Sequence, residues 1–215
     1  MTWELSGGKG FGVGDYSDGT RIFHTDLYFD PIRRKAAELG LPVNIHVADP
    51  ISFYHPLDEH NEQLASATRF NLQKALLTFD ELIDRRNAMM ARNRQTTFTC
   101  CHMGNLSHDL GRLGRNLDAH PNRYVDILAR SCDLGRQPKT ARAFFIQYQD
   151  RVLYGTDLSP GKDHYLSNIR LFETEDEYFT SPGTVRHWRS YGMNLPDAVL
   201  RKLYNENAKR IIPGL

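Results

Sequence analysis

The sequence predicts an α/β fold of parallel strands joined by crossover helices, and three observations predict it. Short β-branched or apolar runs alternate with amphipathic helical stretches several times over, which is the pattern of βα units. Capping and turn residues punctuate that alternation where helices must start and stop. The two longest interruptions each follow the carboxyl end of a strand, the side on which a parallel sheet gathers its functional loops.

Taken in order, a weak strand at 10–13 precedes a helix at 28–39. Asp30-Pro31 suits the start of that helix, with the carboxylate capping free amides and proline in the first turn, and Gly40 suits the left-handed residue past its end. Leu41-Pro42 leads into a strand at 43–47. A long loop at 49–77, rich in aromatics, Asp, Glu and His, separates this strand from a helix at 78–92. A strand at 97–101 follows, then a helix at 108–119 with Ser107 as its cap and His120-Pro121-Asn122 as its stop. A strand at 124–128, a helix at 138–148 and a strand at 152–154 continue the rhythm. A second long loop occupies 159–195, and Leu195-Pro196-Asp197 opens a last helix at 196–211.

With 215 residues and 40% hydrophobic content, the chain can bury a core of its own, and one domain over 1–215 is expected. The 27 basic and 26 acidic residues are interspersed and the formal net charge is +1, so no nucleic-acid partner is expected. Apolar runs such as 43–45 and 143–146 are too short to span a bilayer, and the N-terminal stretch lacks the pattern of a secretory signal. No membrane partner is expected, and a cytoplasmic location is. Of the three cysteines, Cys100 and Cys101 are adjacent within one strand, which suits reduced core thiols better than a disulfide framework or a zinc knuckle.

Chemistry concentrates at the strand ends. Val43-Asn44-Ile45 runs into His46, Thr99-Cys100-Cys101 into His102, and Tyr154-Gly155-Thr156 into Asp157. Two imidazoles and a carboxylate are suitable ligands for zinc or another first-row divalent metal. A single histidine at a strand end is more often a hydrogen-bonded structural residue, and a Gly-Thr-Asp turn is a common helix cap. Equivalent placement in three βα units favours the functional reading. Arg130, just past a strand end, can bind a substrate carboxylate through two N–H groups, and Asp126 can orient a ligand histidine. His55, Asp58, Glu59 and His60 read as part of a lid loop, and His24 as a solvent-facing loop histidine that could stand in as a ligand.

Five stretches together resemble a known family: Leu41 to Pro50, Cys101-His102-Met103-Gly104, Tyr124-Val125-Asp126-Ile127, Tyr154-Gly155-Thr156-Asp157, and the closing Asn205-Glu206-Asn207-Ala208-Lys209-Arg210-Ile211. In order and spacing they are similar to the amidohydrolase-2 branch of the amidohydrolase superfamily, which includes aminocarboxymuconate-semialdehyde decarboxylase. The resemblance implies a partial (β/α)8 TIM-barrel-like domain of about five parallel βα units, with long loops at the carboxyl face of the strands. It implies a metal-dependent hydrolase or non-oxidative decarboxylase acting on a small carboxylated or cyclic substrate. Zinc is the first choice of metal, with manganese, iron or cobalt also suited. His46 and Asp157 would bind the metal, His102 and Asp157 would act as catalytic groups, and Arg130 and Lys9 would bind substrate.

The sequence departs from this family in lacking any His-x-His pair, which the family carries on its first strand as two metal ligands. The resemblance begins near the family's fourth strand, at Gly7-Gly8-Lys9-Gly10-Phe11, so roughly the first three βα units are expected to be absent from this sequence. A five-strand arc would leave sheet edges and apolar side chains uncovered. A homo-oligomer, or a partner chain completing the barrel, is therefore expected. The rival reading is a catalytically silent truncated half-barrel that acts through assembly with another chain.

Overall fold

The computed structural model describes the backbone of residues 3–5 and residues 14–70, 72–157, 161–181 and 187–215, the side chain of Lys74 excepted. The weak strand expected at 10–13 and Lys9 lie outside the described residues. The chain divides into two units, Met1–Cys100 and Cys101–Leu215.

In the first unit, β4 (Val43–Ile45) is central and parallel to both neighbours, β1 (Trp3–Leu5) and β5 (Phe98–Cys100). Val43 faces Trp3 and Phe98 in register, and Ile45 faces Leu5 and Cys100. Val43, Ile45, Phe98 and Cys100 are all buried, as expected for parallel strands that read as apolar runs. Strand β1 was not expected from the sequence. A short antiparallel hairpin, β2 (Gly14–Asp15) with β3 (Arg21–Ile22), precedes the first helix, Asp30–Glu38. Gly40 takes the left-handed φ of 64° expected of it.

Asp30 does not cap that helix, which corrects the reading of Asp30-Pro31. Its carboxylate turns inward and accepts hydrogen bonds from Arg33, from Arg92 Nε at 2.8 Å and from Asn93 Nδ2 at 2.8 Å. Arg33 is fully buried and also donates to the backbone oxygens of His24 and Asp26. Buried charges survive only when paired and hydrogen-bonded in this way. The result is a polar network that fixes the segment around His24.

Helix Phe79–Arg92 starts on a full capping box. Thr78 accepts from the Glu81 N–H at 3.3 Å, and Glu81 Oε2 accepts from the Thr78 N–H at 2.8 Å. Phe79, Leu82, Ile83 and Met90 line its buried face at helical spacing. Thr78→Ala is expected to cost about 1 kcal/mol, seen as a fall of about 2–4 °C in the thermal midpoint.

The stretch read as a long loop at 49–77 contains short helical elements. It holds 3-10 turns at Ile51–Phe53 and Leu72–Lys74 and a helix at Leu64–Phe70, around a small core of Phe53, Ala67 and Leu72. Phe53 stacks on Phe70 at 5.2 Å between ring centres. The aromatic residues of this segment supply packing, while His55, Asp58, Glu59 and His60, read as part of a lid loop, stay exposed.

In the second unit, β6 (Arg123–Asp126) and β7 (Val152–Leu153) are parallel, and helix Pro138–Gln147 connects them. Helix Leu110–Ala119 is capped by Asp109, whose Oδ1 accepts from the Arg112 N–H at 2.8 Å. Ser107 does not serve as the cap, because its hydroxyl donates to Asp133 at 2.8 Å. The second expected loop, 159–195, contains helix Lys162–Glu173 and the antiparallel hairpin β8 (Phe179–Thr180) with β9 (Arg189–Ser190). Asn168, Leu171 and Phe172 are the buried side of that helix.

The C-terminal helix runs as Asp197–Arg201, a π-helical turn at Lys202–Glu206, and Asn207–Ile211. Within the wider turn, the Leu203 carbonyl accepts from the Tyr154 N–H at 3.0 Å, just past β7. Buried Asn207 donates to the carbonyls of Gln149 and Val152, each at 2.8 Å, which gives the closing Asn-Glu-Asn-Ala stretch a structural role. All three cysteines are reduced and buried, as expected. Among the described residues, no helix is long and apolar enough to cross a membrane.

Candidate active site

Non-glycine residues with left-handed backbone follow the carboxyl end of each parallel strand from β4 to β7. They are Ala48 (φ 66°) after β4, His102, Met103 and Asn105 (φ 59°, 56° and 55°) after β5, Ala129 (φ 52°) after β6, and Asp157 (φ 59°) after β7. Each costs about 1–2 kcal/mol relative to ordinary backbone, and such strain collects where a fold holds functional groups in place. Two of the three strand-end candidates, His102 and Asp157, are themselves among these residues.

His102 is held from both its backbone and its ring. Its N–H donates to Asp126 Oδ1 at 2.7 Å, and its Nδ1 lies 2.7 Å from the Leu128 carbonyl oxygen. A carbonyl only accepts, so Nδ1 carries the proton and Nε2 carries the lone pair of the neutral ring. Asp126 also accepts from the Leu128 N–H at 3.3 Å. Burial pushes the Asp126 carboxyl up to about 7, the two N–H donors oppose that shift, and the charge of Asp157 adds to it. The second unit thus brings His102, Asp126 and Asp157 into one electrostatic neighbourhood, with Asp157 itself exposed.

Arg130 sits beyond β6 with Nη1 3.3 Å from Asp133 Oδ2, the same carboxylate oxygen that accepts from Ser107. Asp133 was not singled out in the sequence, where it reads as an ordinary helix residue. Its role as an anchor for Arg130 comes from Ser107, 26 residues earlier.

In the first unit, His46 lies just past β4, with Nε2 3.9 Å from Asp49 Oδ1 and both side chains largely buried. His24 corrects the sequence reading, because it is 1% exposed and does not face solvent. Its carbonyl accepts from Arg33, while both ring nitrogens are buried without a hydrogen-bond partner among the described residues. Burial lowers its pKa to about 4, with the charges of Arg33 and His46 acting in the same direction. A possible sequence signal was the turn at 23–26, where the Phe23 N–H reaches Asp26 Oδ2 at 2.8 Å and tucks the segment inward.

Among the described residues, no group of three or more His, Cys, Asp or Glu side chains is already gathered to hold a metal. The donors nevertheless fit a borderline divalent ion in kind: imidazole nitrogens, one with its tautomer fixed by a backbone carbonyl, and a strand-end carboxylate.

Parallel βα units with imidazoles and carboxylates beyond their strand ends define a (β/α) scaffold of TIM-barrel type, present here in part. The sequence pattern of the family described as Amidohydrolase matches residues 7–214, and the chain belongs to that family. Among solved structures, it is similar to a 2,6-dihydroxybenzoate decarboxylase from Rhizobium, at 15% identity and a TM-score of 0.53, covering 94% of this chain and 60% of that one. A 2,6-dihydroxybenzoate decarboxylase complexed with 2,6-dihydroxybenzoate matches at 16% identity and a TM-score of 0.51, with coverage again 94% and 60%. A 4-oxalomesaconate hydratase from Rhodopseudomonas palustris matches at 17% identity and a TM-score of 0.45, over 92% of this chain and 53% of that one. The chain therefore spans about 60% of the length of the two decarboxylases. No curated protein sequence matches it.

Proposed function

We propose that the chain carries part of the active site of a divalent-metal-dependent hydrolase or non-oxidative decarboxylase acting on a small carboxylated or cyclic substrate. The anchoring of His102 carries the proposal: a left-handed turn, a buried carboxylate on its N–H and a carbonyl on its Nδ1 all hold one imidazole with Nε2 as its basic atom. A core histidine needs no such support. His46 and Asp157 are the proposed metal ligands, with zinc the first choice and manganese, iron or cobalt also compatible with the donors. When bound, the ion polarises a substrate carbonyl or carboxylate and lowers the pKa of bound water.

In this reading, His102 Nε2 takes and returns a proton at the reacting centre. Asp157 shares that proton traffic, while burial, with a smaller contribution from the Asp157 charge, keeps Asp126 partly protonated near neutral pH. Arg130, held on one side by Asp133, offers its remaining guanidinium donors to a substrate carboxylate. The aromatic acid named with the structural neighbours, 2,6-dihydroxybenzoate, is the first substrate to try.

The test is carbon dioxide release from 2,6-dihydroxybenzoate by zinc- or manganese-loaded protein, with metal content measured in parallel. His102→Asn suits it because asparagine tolerates left-handed backbone. It is expected to lower the rate by about 10²–10⁴-fold while metal content stays at the wild-type level. Purified protein that takes up no stoichiometric metal would sink the proposal and leave the catalytically silent scaffold standing.

A further inference from the structure

We infer that His24 supplies a nitrogen ligand to the divalent metal ion that His46 binds. The inference rests on the metal-dependent reading above, and it assigns as a donor a histidine that the sequence read first as solvent-facing and only second as a stand-in ligand. A neutral imidazole has one N–H and one lone pair, and leaving either unsatisfied in a protein interior costs about 1–3 kcal/mol. Among the described residues, His24 leaves both unsatisfied at 1% exposure. Buried polar side chains almost always find a partner, so such a ring calls for one that binds nitrogen.

The surroundings narrow that partner to a cation beside His46. The charge of His46 acts on His24 in the same direction as its burial, and the two residues belong to the same unit. Arg33 would oppose a cation there, but its guanidinium is paired with Asp30 and occupied by the backbone oxygens of His24 and Asp26. Those same bonds pin the His24 backbone from behind, leaving the ring as the group available to a ligand. Two imidazoles on one unit would replace in kind the paired nitrogens that a His-x-His sequence supplies, and this chain has no such sequence.

The experiment measures zinc affinity of the full chain by competition with a chromophoric chelator, and the visible spectrum of the cobalt(II) form. His24→Leu is expected to weaken zinc binding by more than the roughly 10–100-fold lost with an outer-sphere partner, and to change the cobalt band. Its metal-free melting temperature should hold or rise, because two unsatisfied atoms leave the core. Zinc titration of wild-type protein labelled with 15N-histidine reads the same ligation without a variant, with ring-nitrogen shifts expected for His24. If His24→Leu binds zinc like wild type while His46→Ala does not, or the His24 ring signals stay put as zinc binds, the inference is overturned and the functional reading survives. If wild-type protein binds no zinc, both fall.

Discussion

Asp126→Ala is expected to lower stability by about 2–6 kcal/mol, because it strands two buried N–H groups at about 1–3 kcal/mol each. Both donors, on His102 and Leu128, end on the same oxygen, Asp126 Oδ1. The loss falls on a turn that already bears left-handed backbone at His102, Met103 and Asn105. A deficit of this size is a large part of the total stability of an ordinary domain. Asp126→Asn keeps a carbonyl oxygen for both donors and removes a buried charge, so at pH 8 it should be at least as stable as wild type. Urea denaturation of the metal-free variants checks both. Equal losses for alanine and asparagine would show that the carboxyl group's charge, and not its acceptor oxygen, supports the turn.

A second large effect lies in the pH dependence of stability, where two buried groups pull in opposite directions. The Asp126 carboxyl stands at about 7 when folded against an ordinary 3.8, so the folded state holds a proton that the unfolded chain has released between these values. That contribution is lost as pH rises from about 4 to about 7. His24 stands at about 4 against an ordinary 6.5, so the unfolded chain binds the extra proton, and this contribution is lost as pH falls from 6.5 toward 4. Each amounts to roughly 3–4 kcal/mol at full extent, and between pH 4 and 6.5 they offset one another. Denaturation profiles of metal-free protein should therefore be nearly flat in that range for wild type. Asp126→Asn should become more stable with rising pH, and His24→Leu less stable. Profiles for both variants that superimpose on wild type would contradict the assignment of either group as buried and shifted.

The parts of the fold that were legible are those whose signal is local. Strands β4 to β7 read as apolar runs because parallel strands are covered on both faces, and their observed spans are only one or two residues shorter than expected. The helix end at Gly40 was legible for the same reason, since the left-handed residue lies directly past the end it serves. Asp30 shows where locality fails. Nothing nearby in the sequence indicates that its carboxylate belongs to Arg92 and Asn93, 62 and 63 residues away. His24 was misread in the same way, because the burial of a loop is decided by what folds over it. The two long segments hid their helices because their aromatic and charged residues resembled loop composition. The buried spacing of Asn168, Leu171 and Phe172 was the clue in the second.

In the site, the placement of His102 and Asp157 at strand ends was legible from the sequence. Of the support beneath His102, the orienting role of Asp126 was also read there, while the Leu128 carbonyl was not, since that contact depends on how the chain past the next strand folds back.

The π-helical turn near the C-terminus settles a matter of phase. Val199, Leu203 and Asn207 are spaced by four, and all three are buried. At about 100° per residue, a regular helix would let each successive member drift by about 40°, leaving the first and last about 80° apart. The wider turn at Lys202–Glu206 winds more slowly and takes back part of that drift. Leu203 and Asn207 can then both address the strand at Val152–Leu153, one through its carbonyl to Tyr154 and the other through its amide. The last helix is timed to its strand by an irregularity, and a more ideal helix would meet that strand out of step.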